Sequence, residues 1–296
     1  MSESKRKRVD VDRTSNTRIF SHEWAKALMK LCADTPFDDA AFNLCASWKS
    51  TDNCHFLPHF MVESIANKLN SIEDSETPFS LTIIKLVPDK LVEAMAANQP
   101  GQKKSDKLNY VQRKRLRSEY DRLIVECQEA LKSPSRKPSI DSTWNLFANA
   151  EEFKLCLWGS QRLCFAAFYY AYEDFIKECV GIRLGESDYE KPRHDDFKRD
   201  IRRSFGDKGD EVLSTCYTDA FITLARQIRD SLVHHGARLT KQLKPQEQTL
   251  SRYGFTIEDG EIQVTATQTR ALYERLSKAA TKLLESAIAL PTPPSD

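Results

Sequence analysis

Ten aromatic side chains crowd one helical stretch between Trp144 and Phe175, and they fall on nearly every face of it. A helix can present apolar groups all round only if other elements cover it all round. This stretch therefore belongs at the centre of a bundle or against a second copy of the chain. Asp141 or Ser142 is placed to cap it, Gly159 is the expected interruption, and the pattern continues to Cys179.

The rest of the C-terminal half follows the same helical logic. Phe197, Ile201 and Phe205 recur at i, i+4 and i+8, which predicts a short helix from about Asp195. Leu213, Cys216, Ala220, Leu224, Ile228 and Leu232 predict one continuous helix over about 210–235, and Gly236 stands where a left-handed residue ends such a helix. Phe255 to Val264 alternates about Asp259-Gly260, a hairpin signal. Leu272, Leu276, Leu283 and Ile288 mark a last helix over about 268–288 that ends before Pro291. The expected fold class is mainly α: a C-terminal helical bundle with a small β-hairpin over 142–290, preceded by a mostly helical N-terminal domain over 19–132.

In that N-terminal part, Trp24, Leu28, Leu31 and Cys32 recur at helical spacing, and Phe60, Ile65 and Leu69 do so more loosely. Residues 73–78 read as a loop, and 80–87 as either a short strand or a buried helix turn. Asn98-Gln99-Pro100-Gly101 breaks the chain before a helix over about 105–132, which carries the basic run Arg113-Lys114-Arg115-Leu116-Arg117. Ser133-Pro134-Ser135-Arg136-Lys137-Pro138-Ser139 reads as a linker, with the domain boundary at 133–141. Residues 1–18 form a basic tail around Lys5-Arg6-Lys7-Arg8, either a solvated tail or an arm for nucleic acid or nuclear import; 291–296 is a short tail.

Composition removes several classes of function. The 296 residues hold only 9 glycines, with no GxGxxG or Walker-type run, which argues against a nucleotide-cofactor enzyme; no cofactor is expected. The net charge of +1 offers no global case for nucleic-acid binding, so that case must come from local patches. Eight cysteines are scattered without a CxxC pair, and no apolar run is long enough to cross a membrane, so a reducing cytoplasmic setting is expected. Cys54, His55 and His59, with Cys45 nearby, are zinc-ligand types, but their spacing fits no structural zinc site, and no metal is expected.

The chemistry-bearing segment is Arg229-Asp230-Ser231-Leu232-Val233-His234-His235-Gly236. A forked, permanently cationic arginine suits a phosphate, and a histidine exchanges protons near neutral pH. RNA supplies its own nucleophile in the 2′-hydroxyl, so an acid/base group and charge stabilisation suffice to cleave it without metal. In that scheme Arg229 binds the phosphate bidentately, His234 moves the proton, and Asp230 orients one of them. The products are a 2′,3′-cyclic phosphate and a 5′-hydroxyl. On a helical wheel positions 229 and 234 lie about 140° apart, so they meet only if the helix end frays or a two-fold dimer pairs two such ends. His235 falls near the apolar stripe, as a buried or interface histidine would, and it also fits the looser spacing. Arg199, Arg202 and Arg203 are candidate substrate contacts, and Glu173 or Asp174 is a candidate partner for a buried arginine, Arg229 foremost.

Two long helices, an Arg-(Asn/Asp)-x-x-x-His segment at the end of a later helix and a closing helix together resemble the HEPN superfamily over residues 142–290. In this chain Arg229, Asp230 and His234 fill the motif positions. The resemblance implies a metal-independent endoribonuclease acting as a prokaryotic toxin or antiviral defence effector. It also implies a homodimer with a composite active site and an antitoxin or other regulatory protein as a further partner. The chain departs from the pattern at Gly236, where some toxins of the family carry a tyrosine that a partner nucleotidyltransferase modifies. A different class fits the same residues: a non-catalytic helical module that binds RNA or a protein through its basic patches. A DNA-binding regulator using the 105–132 helix is a third.

Overall fold

Aromatic packing organises the computed structural model, which describes residues 18–71, 140–186, 189–190 and 194–291. The 105–132 helix with its basic run, most of the 133–141 linker and the basic tail lie outside the described residues. Contacts group the described residues into two units, 18–52 with 162–291 and 53–71 with 140–161. The segment 18–52 groups with the motif-bearing half.

In the larger unit, α1 (His22–Cys32) and the first part of α2 (Asp38–Ser71) join the second part of α4 (Glu151–Leu184), α5 (His194–Phe205), α6 (Gly209–Val212), α7 (Ala220–His234), α8 (Glu247–Arg252) and α9 (Ala266–Ile288). The aromatic stretch is central, as its composition demands: Phe165, Phe168, Tyr169, Tyr172 and Phe175 are all buried. Two buried polar tips have clear partners. The Trp48 indole donates to the Phe168 carbonyl at 3.0 Å, and the Tyr172 hydroxyl donates to the Cys216 carbonyl at 2.7 Å. The N-terminal segment is held by polar anchors as well as by its apolar face. Asp52 accepts from the Ile19 amide at 2.7 Å and from Arg18, the Tyr273 hydroxyl accepts from the Ser21 amide at 2.9 Å, and Trp24 donates to Thr281 at 3.1 Å.

Several elements follow the sequence pattern. Helix α5 buries Phe197, Ile201 and Phe205. Strands β1 (Thr256–Glu258) and β2 (Glu261–Gln263) pair antiparallel through a turn in which Asp259 and Gly260 both have positive φ, 51° and 77°. A capping box at Thr265 and Gln268 starts α9.

Others depart from it. The aromatic helix runs through Gly159 without interruption and breaks instead at Ala150, after a separate α3 (Ile140–Asn149). The helix expected over 210–235 is three pieces, with a π turn at Leu213–Tyr217 and a fresh start at Ala220. The restart has a local cause: Asp219 accepts hydrogen bonds from the amides of Phe221 and Ile222, the free donors of a new helix. Phe60, expected in the core, is exposed, while Val62 and Ala66 face inward.

Burial lifts the Cys32 and Cys45 thiols to about 11, so both are inert core groups rather than nucleophiles. Among the described residues no group of His, Cys, Asp or Glu is arranged to hold a metal, and no helix is long and apolar enough to cross a membrane.

The smaller unit carries an acid-sensitive contact. The buried His59 ring stacks on Trp144, centroids 4.3 Å apart, and burial with the nearby His55 pushes its pKa down from 6.5 to about 4. The unfolded chain thus binds more protons than the folded one between pH 4 and 6.5. The stability this neutral histidine confers is complete above pH 6.5 and lost as pH falls through that window. Acidification from pH 7 to pH 5 should cost about 2 kcal/mol at this site. Thermal unfolding of wild type and His59→Phe at both pH values checks it. An equal loss in the two proteins refutes the assignment.

Candidate active site

Helix α7 sets the geometry. Asp219 caps its start and is gripped by Arg275 from α9. Burial works against the Asp219 charge, but the Arg275 hydrogen bond and the two amides prevail and hold its carboxyl below the usual range. Phe221, Ile222, Leu224, Ala225 and Ile228 form the buried stripe. Arg229 continues that stripe into the interior, at 8 % exposure.

A buried guanidinium needs compensation, and Arg229 has it on several sides. One terminal nitrogen lies 2.7 Å from the Glu173 carboxylate of α4 and the other 3.0 Å from Asp230. Its guanidinium carbon sits 4.3 Å over the Tyr170 ring and 5.2 Å over the Tyr169 ring. Burial opposes the charge, yet Glu173 and Asp230 outweigh it and raise the pKa above the ordinary arginine value. The Glu173 partnership anticipated from the sequence is present. The bidentate phosphate grip is not the geometry observed, because both ends of the fork are already held by carboxylates.

One turn earlier on the same helix, Arg226 donates to Nδ1 of His194 at 2.9 Å and lies over the Tyr217 ring, whose hydroxyl is 2.8 Å from that nitrogen. No sequence signal marked this cluster, which assembles residues from three elements.

The end of α7 is built by Ser231. This residue is fully buried, and its carbonyl accepts from the amides of both His235 and Ala237, while its hydroxyl donates to the Arg238 carbonyl at 2.6 Å. That winding requires positive φ at two successive positions, Gly236 at 60° and Ala237 at 67°. The first is the expected glycine. The second is an alanine in a region costly for side chains, a local strain of the kind that surrounding contacts must fix. Those contacts are visible. Ile262 donates its amide to the Ala237 carbonyl, Leu239 donates to Gly260, and Arg162 of α4 donates to the Gly236 carbonyl at 2.9 Å. The β-hairpin is thus the support on which the segment after α7 rests.

Between the end of α7 and this pinned segment lies an open cleft of about 1010 Å³, lined by Asp230, His234, His235, Arg238 and Lys241 with Gln227, Leu239, Thr240 and Gln242. Both histidines are exposed, so His235 is not the buried group its place on the wheel suggests; it lies just past the last helical residue and escapes the stripe. Asp230 joins the two regions, touching Arg229 on one side and the cleft on the other. Arg229 itself does not line the cleft. Neither do Arg199, Arg202 and Arg203, which are exposed and paired with Asp196, Asp210 and Glu186 respectively.

Chemically, the cleft offers two imidazoles, a carboxylate fixed by a buried cation, and two further cations. That is a set suited to proton transfer on an anionic substrate. Compared with family models, with curated proteins and with solved structures, the chain matches none.

Proposed function

We propose that this protein is a metal-independent endoribonuclease whose active site is the cleft at the end of α7. The observation that carries the reading is that His234, His235 and Asp230 line one solvent-open cleft together with two cations. In the proposed reaction His234 takes the 2′-hydroxyl proton as the 2′-oxygen bonds to phosphorus. The bond from phosphorus to the 5′-oxygen breaks, and His235 protonates the leaving oxygen. A 2′,3′-cyclic phosphate and a 5′-hydroxyl result. Arg229 acts through Asp230, which it holds at the cleft wall, rather than by gripping phosphate itself. The HEPN resemblance extends the reading to a homodimeric toxin or antiviral effector with a regulatory partner. Val233, exposed beside His234, is an apolar group that a second copy would cover.

A specific observation supports the alternative of an RNA-binding module without cleavage. The motif arginine is engaged internally, as an arginine with a purely structural role would be. End-labelled RNA incubated with the full chain in excess EDTA separates the two. Cleavage to cyclic-phosphate ends by wild type, lost in a His234→Ala, His235→Ala double variant, is the expected result. Binding without cleavage supports the module, and cleavage that persists in the double variant places the chemistry elsewhere.

A further inference from the structure

We infer that Arg238 and Lys241 form the phosphate-binding subsite of the cleft, and that the ligand they take is the sugar-phosphate backbone of RNA. The identity of the anion rests on the ribonuclease reading; the location of the subsite rests on charge and geometry alone.

Several arginines of the larger unit are matched by carboxylates, while Arg183 donates to the Ser204 and Pro291 carbonyls and Arg226 to His194. Arg199, Arg202 and Arg203 each lie beside a carboxylate, Arg275 is on Asp219, and Arg229 lies between two. Arg238 and Lys241 are set apart by their place: both line the cleft, and among the described residues neither side chain makes an ion pair. Two neighbouring carboxylates face other cations. Glu261, the cross-strand neighbour of Arg238, faces Arg162 at 4.0 Å, and Asp230 is held by Arg229. The cleft wall therefore carries two cations, Arg238 and Lys241, against the single carboxylate of Asp230, which Arg229 engages from behind.

These cations sit on a fixed backbone. The Arg238 amide donates to the His235 carbonyl, its own carbonyl is held by Ser231, and Leu239 is tied to Gly260 of the hairpin turn. Just beyond Lys241, Gln246 bonds both the Gln242 carbonyl and the Gln227 side chain of α7, two residues that line the cleft. A ligand meeting Arg238 and Lys241 thus meets charges whose main chain is already placed, which lowers the ordering cost of binding. The adjacent imidazoles then lie where a bound phosphodiester would react, and Arg229 has no need to reach it.

The test uses the full chain and a fluorescent oligoribonucleotide made uncleavable by 2′-O-methylation, with affinity followed by anisotropy over a salt series. Arg238→Ala and Lys241→Ala should each weaken binding by about 5-fold, and each should reduce the slope of log affinity against log salt by about 0.7. Lys278→Ala, which removes an exposed cation of α9, should change neither. No measurable RNA binding by wild type overturns the subsite. So does a larger loss from Arg199, Arg202 and Arg203 replaced together by alanine, or displacement of the RNA by polyglutamate at equal charge, which would mark a site for acidic protein. RNA binding that depends on Arg238 and Lys241, without cleavage of unmodified RNA, leaves the subsite standing and removes the ribonuclease reading alone.

Discussion

His234→Ala lowers RNA cleavage by about 10²- to 10⁴-fold, the range expected when a positioned acid/base group is removed. The substitution isolates chemistry from folding because His234 is exposed at the last turn of α7, where such changes shift stability by about 0.5 kcal/mol or less. RNA affinity should stay within a few-fold of wild type, since charge at the cleft persists on Arg238 and Lys241. The loss should therefore appear in kcat rather than KM. His235→Ala should also be slow. A His234→Ala protein with full activity refutes the mechanism, and a loss explained by weaker binding moves His234 from acid/base work to recognition.

How much of this could be read from the chain depends on how local each feature is. Phe197, Ile201 and Phe205, the Asp259-Gly260 turn and Gly236 are encoded within a few residues of where they act, and all three appear as expected. The break between Leu213 and Ala220 interrupts a stripe that keeps helical spacing on both sides; its local sign was Asp219, a good capping residue. The pairs that occupy Arg199 and Arg203 differ in the same way. Asp196 lies three residues before Arg199 on one helix, a legible pairing, whereas Glu186 reaches Arg203 from outside α5.

The site itself was half legible. Glu173 stood out as an acid among aromatics, and it does meet Arg229 across 56 residues of chain. Arg238 and Lys241 gave no signal, because they follow the helix in a segment with no periodicity. Their position comes from Ser231 and from a hairpin more than ten residues further on. Residues 19–52 read as part of a separate N-terminal domain because their partners, Tyr273 and Thr281, lie at the opposite end of the sequence.

Glu173→Ala should destabilise the larger unit by about 3 kcal/mol, which for a unit of this size lowers its melting temperature by roughly 6–12 °C. The Glu173 and Arg229 side chains are only 12 % and 10 % exposed, so removing the carboxylate strands a guanidinium that water barely reaches. Asp230 and the two tyrosine rings remain, which keeps the cost at the lower end of that for a broken buried pair. The sign of the second substitution is diagnostic. Glu173→Ala combined with Arg229→Met removes both charges and fills the space with an apolar chain, so it should be more stable than Glu173→Ala alone. If the double variant is the less stable, Arg229 does not owe its place to Glu173. Activity should behave differently. The double variant recovers stability without recovering cleavage, because Asp230 has lost the cation that holds it at the cleft. Arg229→Lys, which keeps the charge and loses the fork, should retain RNA affinity and a reduced kcat. Cleavage that instead tracks stability through the whole series would make Arg229 a packing residue and leave Asp230 and the histidines to act without it.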